Sequence, residues 1–519
     1  MVMKECSKMP AQSTLAQLCL SASAKYNKKI AFSMFCEGKI VRNITYTQMG
    51  NQAKQIASIL RQMGIEKGDK VMLLSENCPE WPVTYFGIAL AGAVSVPLLT
   101  GFSAEQVKHI ADHSGVKAMC ISRSMAEKQD LLNIPFICID DLKYEQTVDF
   151  EISVSNPDDL ATIIYTSGTQ GNSKGVMLSS KNIISSALSS FEYIKIRPSD
   201  RLLSVLPLAH SYECSLGFLS PVIGGASIAY LDRPPSSSVL LPAVQMLRPT
   251  AMIAVPLLIE KVFNNGIAPK LYENKLYKFP LTRTLAIRVA GRKLIKALGG
   301  KIRFFGVGGA PLSPQVEEFL YKAKFPYCIG YGLTETAPLA AGNSPHKFKI
   351  GSGISAPNGV TIRVDKGEIQ VKGPNVMLGY YNDTEKTSEV FTSDGWLRTG
   401  DLGYIDKKKR LHIKGRLKAM ILGPSGENIY PEEIEGLLGS SQLIEESLVY
   451  SGKKGELVAL VRLSEAAKAA AGMIENTMED LRAFVNKKLA AFSRLSRIEI
   501  KEEPFEKTPT MKIKRYLYA

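Results

Sequence analysis

Helix-like and strand-like patterns alternate along most of this chain, and the alternation restricts it to a small set of folds. Within residues 45–65, apolar side chains recur at the spacing of one helix face. Residues 68–74 then predict a turn followed by a buried strand. The same order returns at 79–98 and 104–122, and again between 181 and 256. Strands that alternate with helices form parallel sheets, so we expect two successive α/β units.

The pattern changes near residue 350, where glycines and β-branched residues become frequent. This composition predicts a small antiparallel or β-barrel-like subdomain at about 340–400. The last hundred or so residues contain enough helix and strand patterns for a separate α+β domain. We place the boundary between Gly415 and Lys418, which gives an N-terminal domain of residues 1–415 and a C-terminal domain of residues 416–519.

Composition narrows the possible partners and compartments. The net charge of +15 favours an anionic partner, whether a nucleotide, a coenzyme, an acidic carrier protein, a membrane surface or a nucleic acid. Excess lysine also promotes solubility, so charge alone leaves these alternatives open. The eight cysteines are scattered without a CxxC pair, which predicts reduced thiols in the cytosol rather than a disulfide framework or a zinc site. The longest apolar run, 87–99, is too short to span a bilayer, so we expect peripheral membrane contact at most.

The strongest local motif is the segment ATIIYTSGTQGNSKG at 161–175. An apolar strand enters a loop of hydroxyl side chains and glycines, and the loop closes with Lys174. Glycines let backbone N–H groups approach a phosphate closely, and a lysine adds a mobile positive charge. The loop is not a Walker A motif, because Ser173 precedes the lysine and Gly175 follows it. The sequence therefore predicts a polyphosphate site of another kind, with an ordinary strand-to-helix turn as the alternative.

Six further motifs follow this loop in a fixed order. They are GGAPLS (308–313), GYGLTET (330–336), GWLRTGD (395–401), GRLKAMI (415–421), GENIYPEEIE (426–435) and TPTMKIKR (508–515). As an ordered set they resemble the AMP-forming adenylate ligases, which comprise acyl-CoA synthetases, luciferases and peptide-synthetase adenylation domains. Gln170 and Ser173 depart from the family, which usually has Thr and often has Pro there. We expect these flanking changes to alter kinetics without removing function.

The resemblance implies a reaction in two halves, in which ATP activates a carboxylate as an acyl-adenylate and a thiol then displaces AMP. It assigns the β- and γ-phosphates to the loop residues Thr166, Ser167, Gly168, Thr169 and Lys174. In the same way, Thr334 would contact the α-phosphate and Glu335 would hold Mg²⁺, which prefers carboxylate oxygens. From the residues alone, Glu335 could equally be a solvated carboxylate or a helix cap.

The resemblance also assigns the rest of the nucleotide. Adenine would lie at Gly309, Ala310 and Pro311, and against Tyr331 and Gly332. Asp401 would accept hydrogen bonds from the ribose hydroxyls, and Arg416 would reach the ribose or a phosphate. Each assignment has a structural alternative. Tyr331 could be a core aromatic, Gly309 to Pro311 a plain turn, Asp401 a turn residue, and Arg416 one charge of the basic run 407–416.

The resemblance also gives roles to three further residues, Lys512, Lys418 and His210. The resemblance makes Lys512 the adenylation catalyst, although Lys514 and Arg515 are close by and a basic tail without a role is the alternative. It makes Lys418 the hinge about which a mobile C-terminal domain rotates between the half-reactions. His210, in LPLAHSYE, would lie near the substrate carboxylate, or it could be a buried structural histidine.

These motifs are most like those of long-chain fatty acid–CoA ligases, so the expected substrates are ATP with Mg²⁺, a fatty acid and CoA. A ligase that uses an acyl carrier protein, or another carboxylic acid, is the nearest alternative. A basic nucleotide- or nucleic-acid-binding protein without chemistry is the alternative of another class, but the interleaving of aromatic and basic residues typical of it is not found. We expect a cytoplasmic location, with peripheral contact at the inner membrane face as an addition.

Overall fold

The computed structural model describes residues 13–130, 132–142, 151–166, 174–351, 353–422, 427–441, 443–452, 455–468, 474–508 and 513–518. Within these ranges the chain is a mixed α/β protein with two large, mainly parallel sheets, as the alternating patterns predict. None of the helices in these ranges combines the length and the apolar character needed to cross a bilayer.

The strands are, in chain order, β1 (Ile30–Cys36), β2 (Lys39–Thr45), β3 (Lys70–Leu74), β4 (Val94–Leu98), β5 (Val116–Ile121), β6 (Phe136–Cys138), β7 (Leu160–Thr166), β8 (Lys174–Ser179), β9 (Arg201–Leu203), β10 (Ser227–Leu231), β11 (Ala251–Ala254), β12 (Phe304–Val307), β13 (Tyr327–Gly332), β14 (Leu339–Gly342), β15 (Thr361–Asp365), β16 (Glu368–Lys372), β17 (Gly379–Tyr380), β18 (Leu397–Ile405), β19 (Leu411–Arg416), β20 (Ile421–Leu422), β21 (Asn428–Ile429), β22 (Ile444–Ser451), β23 (Leu457–Leu463) and β24 (Arg497–Ile500).

The α-helices are α1 (Leu15–Tyr26), α2 (Tyr46–Gln62), α3 (Glu80–Leu90), α4 (Ala104–Ser114), α5 (Ser180–Ser189), α6 (Ser220–Gly224), α7 (Ser237–Leu247), α8 (Pro256–Lys261), α9 (Ala268–Glu273), α10 (Lys275–Lys278), α11 (Pro280–Ala297), α12 (Pro314–Lys322), α13 (Thr384–Val390), α14 (Pro431–Leu438), α15 (Glu465–Lys468) and α16 (Ile474–Asn486). Four of them, α1, α2, α4 and α5, begin with a capping box, in which two side chains satisfy the first free N–H groups.

The first large sheet has seven strands in the order β17–β8–β7–β4–β3–β5–β6. Its centre is parallel, because β3 pairs in parallel with both β4 and β5, and β4 with β7. Helix α3 connects β3 to β4 and α4 connects β4 to β5, as predicted, while α2 leads into β3 from the second large sheet. Antiparallel pairing occurs at one edge, between β17 and β8 and in the hairpin of β7 and β8, whose connection is the glycine-rich loop.

The second large sheet has eight strands in the order β14–β13–β12–β11–β9–β10–β1–β2. Parallel pairing runs without interruption from β13 to β1, and antiparallel strands close both edges. The edge formed by β1 and β2 was not predicted from the sequence. It pairs with β10, nearly two hundred positions later in the chain, so no local pattern identifies its partner.

A four-stranded antiparallel sheet follows, in the order β15–β16–β18–β19. The antiparallel pairing predicted for this part of the chain is confirmed, and the sheet spans 361–416. Barrel closure is not found: no pairing joins β15 to β19 in the part of the chain that the structure describes. Instead, isolated bridges from Ile354 to Leu411 and from Ser355 to Gly342 connect this sheet to β14.

The C-terminal residues have a hydrophobic core of their own. Strands β22, β23 and β24 form a three-stranded sheet, and α14 and α16 contribute Ile434, Leu438 and Val485 to the buried cluster beneath it. Strand β19 ends at Arg416 and a short 3-10 helix, Leu417–Ala419, follows it. The domain boundary proposed between Gly415 and Lys418 therefore falls where the last strand of the preceding sheet ends.

Candidate functional site

The second sheet brings three motif segments to one edge. Strands β9, β12 and β13 run parallel, so the segments that follow them, 204–213, 308–313 and 333–336, leave from the same edge. In open α/β sheets, ligands bind outside the carboxyl ends of parallel strands. The order of strands therefore places residues from distant parts of the sequence at one candidate site.

Strands β7 and β8 deliver the glycine-rich loop. Thr166 and Lys174 are register partners at the open end of this hairpin, so the loop leaves and returns at adjacent positions. The predicted phosphate-binding residues Ser167, Gly168 and Thr169 lie outside the described residues. The Lys174 ammonium lies 4.8 Å from the centre of the Tyr380 ring, a cation–π distance.

Tyr380 connects the loop lysine to the GYGLTET segment. Its hydroxyl donates to Glu335 Oε1 at 2.8 Å, and the backbone N–H of Met377 donates to the Glu335 carbonyl at 2.9 Å. Burial, and then the nearby Glu335 carboxylate, raise the pKa of Tyr380 well above its usual value, so it remains a neutral donor. Lys174 and Glu335 thus contact the ring and the hydroxyl of one buried phenol, Tyr380, which was not among the residues predicted from the sequence.

A second cluster joins Tyr331, Asp401 and Arg416. The Tyr331 hydroxyl donates to Asp401 Oδ2 at 2.7 Å, and Arg416 Nε lies 2.9 Å from Asp401 Oδ1. Asp401 and Arg416 are register partners on β18 and β19, and the Asp401 side chain is buried while Arg416 is exposed. Burial, followed by the Asp401 charge, raises the pKa of Tyr331 well above its usual value. The three predicted nucleotide residues therefore meet, joined by a charge-assisted network.

Thr334 lies beside the segment that carries His210. Ser211 Oγ donates to Thr334 Oγ1 at 3.4 Å, and His210 Nδ1 accepts the backbone N–H of Tyr212 at 3.2 Å. His210 is half-buried, so it is neither a core residue nor a free surface group. The segment that carries His210 therefore contacts Thr334 through Ser211, the residue that follows the histidine.

Close packing of the backbone explains why residue 332 is a glycine. A Cβ atom at this position would lie 1.6 Å from the Pro338 carbonyl oxygen, far inside the contact limit. Only glycine fits this close approach of two backbone segments, whatever the ligand. The predicted adenine loop, Gly309 to Pro311, is exposed immediately after β12, next to the segment that follows β13.

The predicted C-terminal residues are only partly described. Lys418 lies exposed in the 3-10 turn after β19, and Lys512 lies outside the described residues. The two basic residues that compete with Lys512 are both paired. Lys514 Nζ is 3.3 Å from Glu506 Oε2, and Arg515 forms an ion pair with Glu435.

Glu213 is a buried carboxyl group that the sequence did not identify as special. It begins a π-helix, Glu213–Leu219, and only Ser204 Oγ donates to it, at 2.5 Å, while Oε2 has no partner among the described residues. Its carboxyl fills the space over Gly217, where a Cβ would lie 2.5 Å from Glu213 Cδ. Burial raises the pKa of Glu213 to about 8, so the folded chain holds it protonated at neutral pH.

Replacement of Glu213 by glutamine is therefore expected to flatten the pH dependence of stability. Between the ordinary carboxyl pKa and about 8, the folded state binds this proton and the unfolded state does not, so the free energy of unfolding falls as pH rises. The contribution is at most about 1.4 kcal/mol per pH unit. Urea unfolding from acidic to mildly basic pH should show a shallower slope for Glu213→Gln. The exposed carboxylate variant Glu389→Gln is the control, and equal slopes for the two variants would contradict the assignment.

Comparison with known proteins identifies the family of this chain. A family model described as "AMP-binding enzyme" matches residues 20–381. The long-chain-fatty-acid–CoA ligase FadD15 of Mycobacterium bovis is 29% identical, with 92% of this chain and 90% of that protein covered. The peroxisomal long chain acyl-CoA synthetase 7 of Arabidopsis thaliana is 30% identical, with 80% and 68% covered. The structure of o-succinylbenzoate CoA synthetase (MenE) from Bacillus subtilis in complex with the acyl-adenylate OSB-AMP superposes with a TM-score of 0.79 at 26% identity, covering 98% of each chain.

Proposed function

Because this chain belongs to the AMP-binding enzyme family, we propose that it is an AMP-forming ligase that joins a fatty acid to CoA. In the first half-reaction, a carboxylate oxygen bonds to the α-phosphorus of ATP and the bond to the β-phosphate oxygen breaks, releasing pyrophosphate. In the second, the CoA sulfur bonds to the acyl carbon, its proton is lost and AMP leaves. The observation that carries the proposal is the meeting of Lys174 and Glu335 across Tyr380, beside Thr334.

The first half-reaction concentrates negative charge, so its site needs cations and fixed donors. Lys174 supplies a positive charge at the mouth of the β7–β8 loop, where the hydroxyl and glycine residues 166–169 would hold the β- and γ-phosphates. The phenol of Tyr380 remains neutral because its pKa is raised, so it adds no negative charge of its own. Thr334, with Ser211 next to it, would donate toward the α-phosphate.

Glu335 fits a magnesium ion that is shared with phosphate oxygens. A carboxylate has about four acceptor positions, so the bond from Tyr380 leaves capacity for a hard cation. When bound, Mg²⁺ neutralises charge on the transferring phosphates. Glu335 would fix the position of that charge, and Tyr380 would fix the position of Glu335.

The network of Tyr331, Asp401 and Arg416 would hold the nucleoside. Asp401 is buried and already accepts from both neighbours, so its orientation is set before a ribose arrives. Arg416 is exposed, and it would reach a ribose or phosphate oxygen. Because Tyr331 directs its hydroxyl to Asp401, the face of its ring is what we propose adenine contacts, with the exposed loop after β12 on the other side.

We propose that residues 416–519 turn about Lys418 between the two half-reactions. This unit has its own core, and it is connected to the rest of the chain through the exposed 3-10 turn that contains Lys418. A unit of this kind can rotate without disturbing the large sheets. Lys512 would then act only in the orientation that forms the adenylate.

The proposed acid is a long-chain fatty acid, supported by the relatives named as long-chain ligases. His210 would lie near its carboxylate. Ligation to an acyl carrier protein is the second candidate, favoured by the exposed lysines 407–409 in the turn between β18 and β19, which could bind an acidic protein as well as the phosphates of CoA. We also propose a cytoplasmic location, in keeping with the free thiols of the described cysteines.

Exchange of labelled pyrophosphate into ATP tests the proposal directly. We expect exchange that depends on both Mg²⁺ and a carboxylic acid, and that is fastest with long saturated acids in a panel that includes short and aromatic acids. Addition of CoA should then give a thioester and AMP, and holo acyl carrier protein should be the poorer acceptor. Absence of exchange with every acid would favour the binding protein without chemistry.

A further inference from the structure

Apolar side chains project into solvent from the turn before α11 and from its first half. Leu281 is 98% exposed, Phe279 66% and Leu285 56%, with Leu276 and Val289 also exposed. A single exposed leucine is ordinary, but several in succession form a patch that marks an interaction surface. We call residues 275–296 the α11 surface.

The local structure fixes these side chains in place. Thr282 Oγ1 donates to the Leu276 carbonyl at 2.7 Å, and Arg283 Nε donates to the Tyr277 carbonyl at 3.0 Å. The Arg283 guanidinium also lies 5.2 Å from the centre of the Tyr277 ring. These bonds connect α10 to the first turn of α11, so the exposed leucines project from an ordered corner.

Helix α11 is amphipathic, with its other face in the core. Ala286, Ile287 and Leu294 belong to the buried cluster of the second sheet. Leu281, Leu285 and Val289 are spaced by four residues, so they form one stripe on the outer face. The outer stripe is therefore not needed to hold the helix against the protein.

The same segment carries much of the positive charge of the chain. From Lys270 to Lys296 there are eight Lys and Arg residues against one Glu, a net +7 of the total +15. The exposed members are Lys270, Lys275, Lys278, Arg283, Arg288, Arg292, Lys293 and Lys296. In the part of the chain that the structure describes, none of them is in a salt bridge.

We propose that the α11 surface docks on an anionic lipid bilayer. Lysine and arginine beside a leucine and phenylalanine stripe match a layer of acidic headgroups above acyl chains. A second copy of the chain is disfavoured, because two surfaces of the same strong charge repel each other. A nucleic acid is also disfavoured, because it offers no apolar layer in which the exposed leucines could be buried. The helix lies on the membrane rather than across it.

The inference does not depend on the proposed reaction, since docking requires no turnover. If the chain is a fatty acid ligase, docking places it where its substrate is concentrated, because fatty acids partition into bilayers. Failure of the reaction would leave vesicle binding unchanged, and failure of vesicle binding would leave pyrophosphate exchange unchanged. The two proposals can therefore be tested separately on the same protein.

Sedimentation of the full chain with vesicles provides the test. We expect binding to phosphatidylcholine vesicles that contain phosphatidylglycerol, reduced by salt, and little binding to phosphatidylcholine alone. The double variant Phe279→Ser, Leu281→Ser should lower the partition coefficient more than about tenfold. The matched control is Val154→Ser, Leu422→Ser, at two apolar positions that are also exposed, 85% and 69%, and that lie outside the α11 surface. Unchanged unfolding midpoints would establish that each variant is folded.

Three outcomes would overturn the proposal. Equal loss in both double variants would deny the α11 surface a special role. If sedimentation equilibrium showed a dimer of the original chain, and the Phe279→Ser, Leu281→Ser variant were a monomer, the surface would be a contact between two copies of the chain. Retained vesicle binding in that variant, with displacement by transfer RNA, would indicate a nucleic-acid surface that uses charge alone.

Discussion

Replacement of Glu335 by glutamine is expected to lower the rate of ATP–pyrophosphate exchange by about two to three orders of magnitude. The amide keeps the shape of the side chain and can still accept the Tyr380 hydroxyl, which lies 2.8 Å from Oε1. It removes the negative charge that we propose holds Mg²⁺ against the phosphates. The loss should therefore appear in catalysis while the fold is retained.

The measurement is exchange rate against Mg²⁺ concentration, with the unfolding midpoint as a check on structure. We expect the variant to need more Mg²⁺ for half-maximal rate, because a neutral ligand binds a hard cation weakly. Glu389→Gln, in the exposed helix α13, should behave as the unaltered protein. The metal role would be refuted if the Glu335→Gln variant exchanged pyrophosphate within about twofold of the original rate at all Mg²⁺ concentrations. Glu335 would then be only a structural acceptor for the Tyr380 hydroxyl.

The variant Tyr380→Phe tests whether the Tyr380 hydroxyl acts by positioning Glu335. The ring that Lys174 contacts at 4.8 Å stays, and only the hydroxyl that donates to Glu335 is lost. If Tyr380 acts through Glu335, its loss should cost little once Glu335 is already glutamine. Rates for the two single variants and the double variant measure this coupling.

Most of the fold could be predicted because the strands and helices that form its hydrophobic cores have recognisable local patterns of apolar residues. Buried strands and amphipathic helices that alternate leave few arrangements other than parallel sheets. The edge hairpin of β1 and β2 could not be predicted this way. Strand β2 is almost wholly exposed, so it has no buried face to identify it, and β1 pairs with β10 far along the chain.

The site was predictable where function demands a residue type at a fixed spacing, and not where it depends on tertiary pairing. Asp401 and Glu335 stand in motifs, so their types and positions identify them. Tyr380 stands in no motif, and it reaches Lys174 and Glu335 only because β17 pairs with β8. Glu213 is the last residue of the segment LPLAHSYE that carries His210, but its burial depends on the space that Gly217 leaves open, which sequence spacing does not reveal.

Replacement of Lys512 by alanine is expected to remove acyl-adenylate formation, by about two orders of magnitude or more, and to spare thioester formation from supplied acyl-adenylate. A lysine ammonium that bridges the carboxylate and the α-phosphate stabilises charge in the first half-reaction only. The two neighbouring basic residues at the C-terminus are both paired with carboxylates. Lys514 is held by Glu506 and Arg515 by Glu435, so each would have to leave a carboxylate to reach ATP.

Lys514→Ala is the matched control, because it removes the same charge two positions away. It should change either half-reaction no more than about threefold, the scale expected for an exposed ion pair. Each half-reaction is measured separately, by pyrophosphate exchange and by single-turnover transfer from acyl-adenylate to CoA. Equal loss in both assays for Lys512→Ala would mean that the segment maintains the structure of the C-terminal unit. A larger loss for Lys514→Ala in the exchange assay would assign the catalytic charge to Lys514 instead.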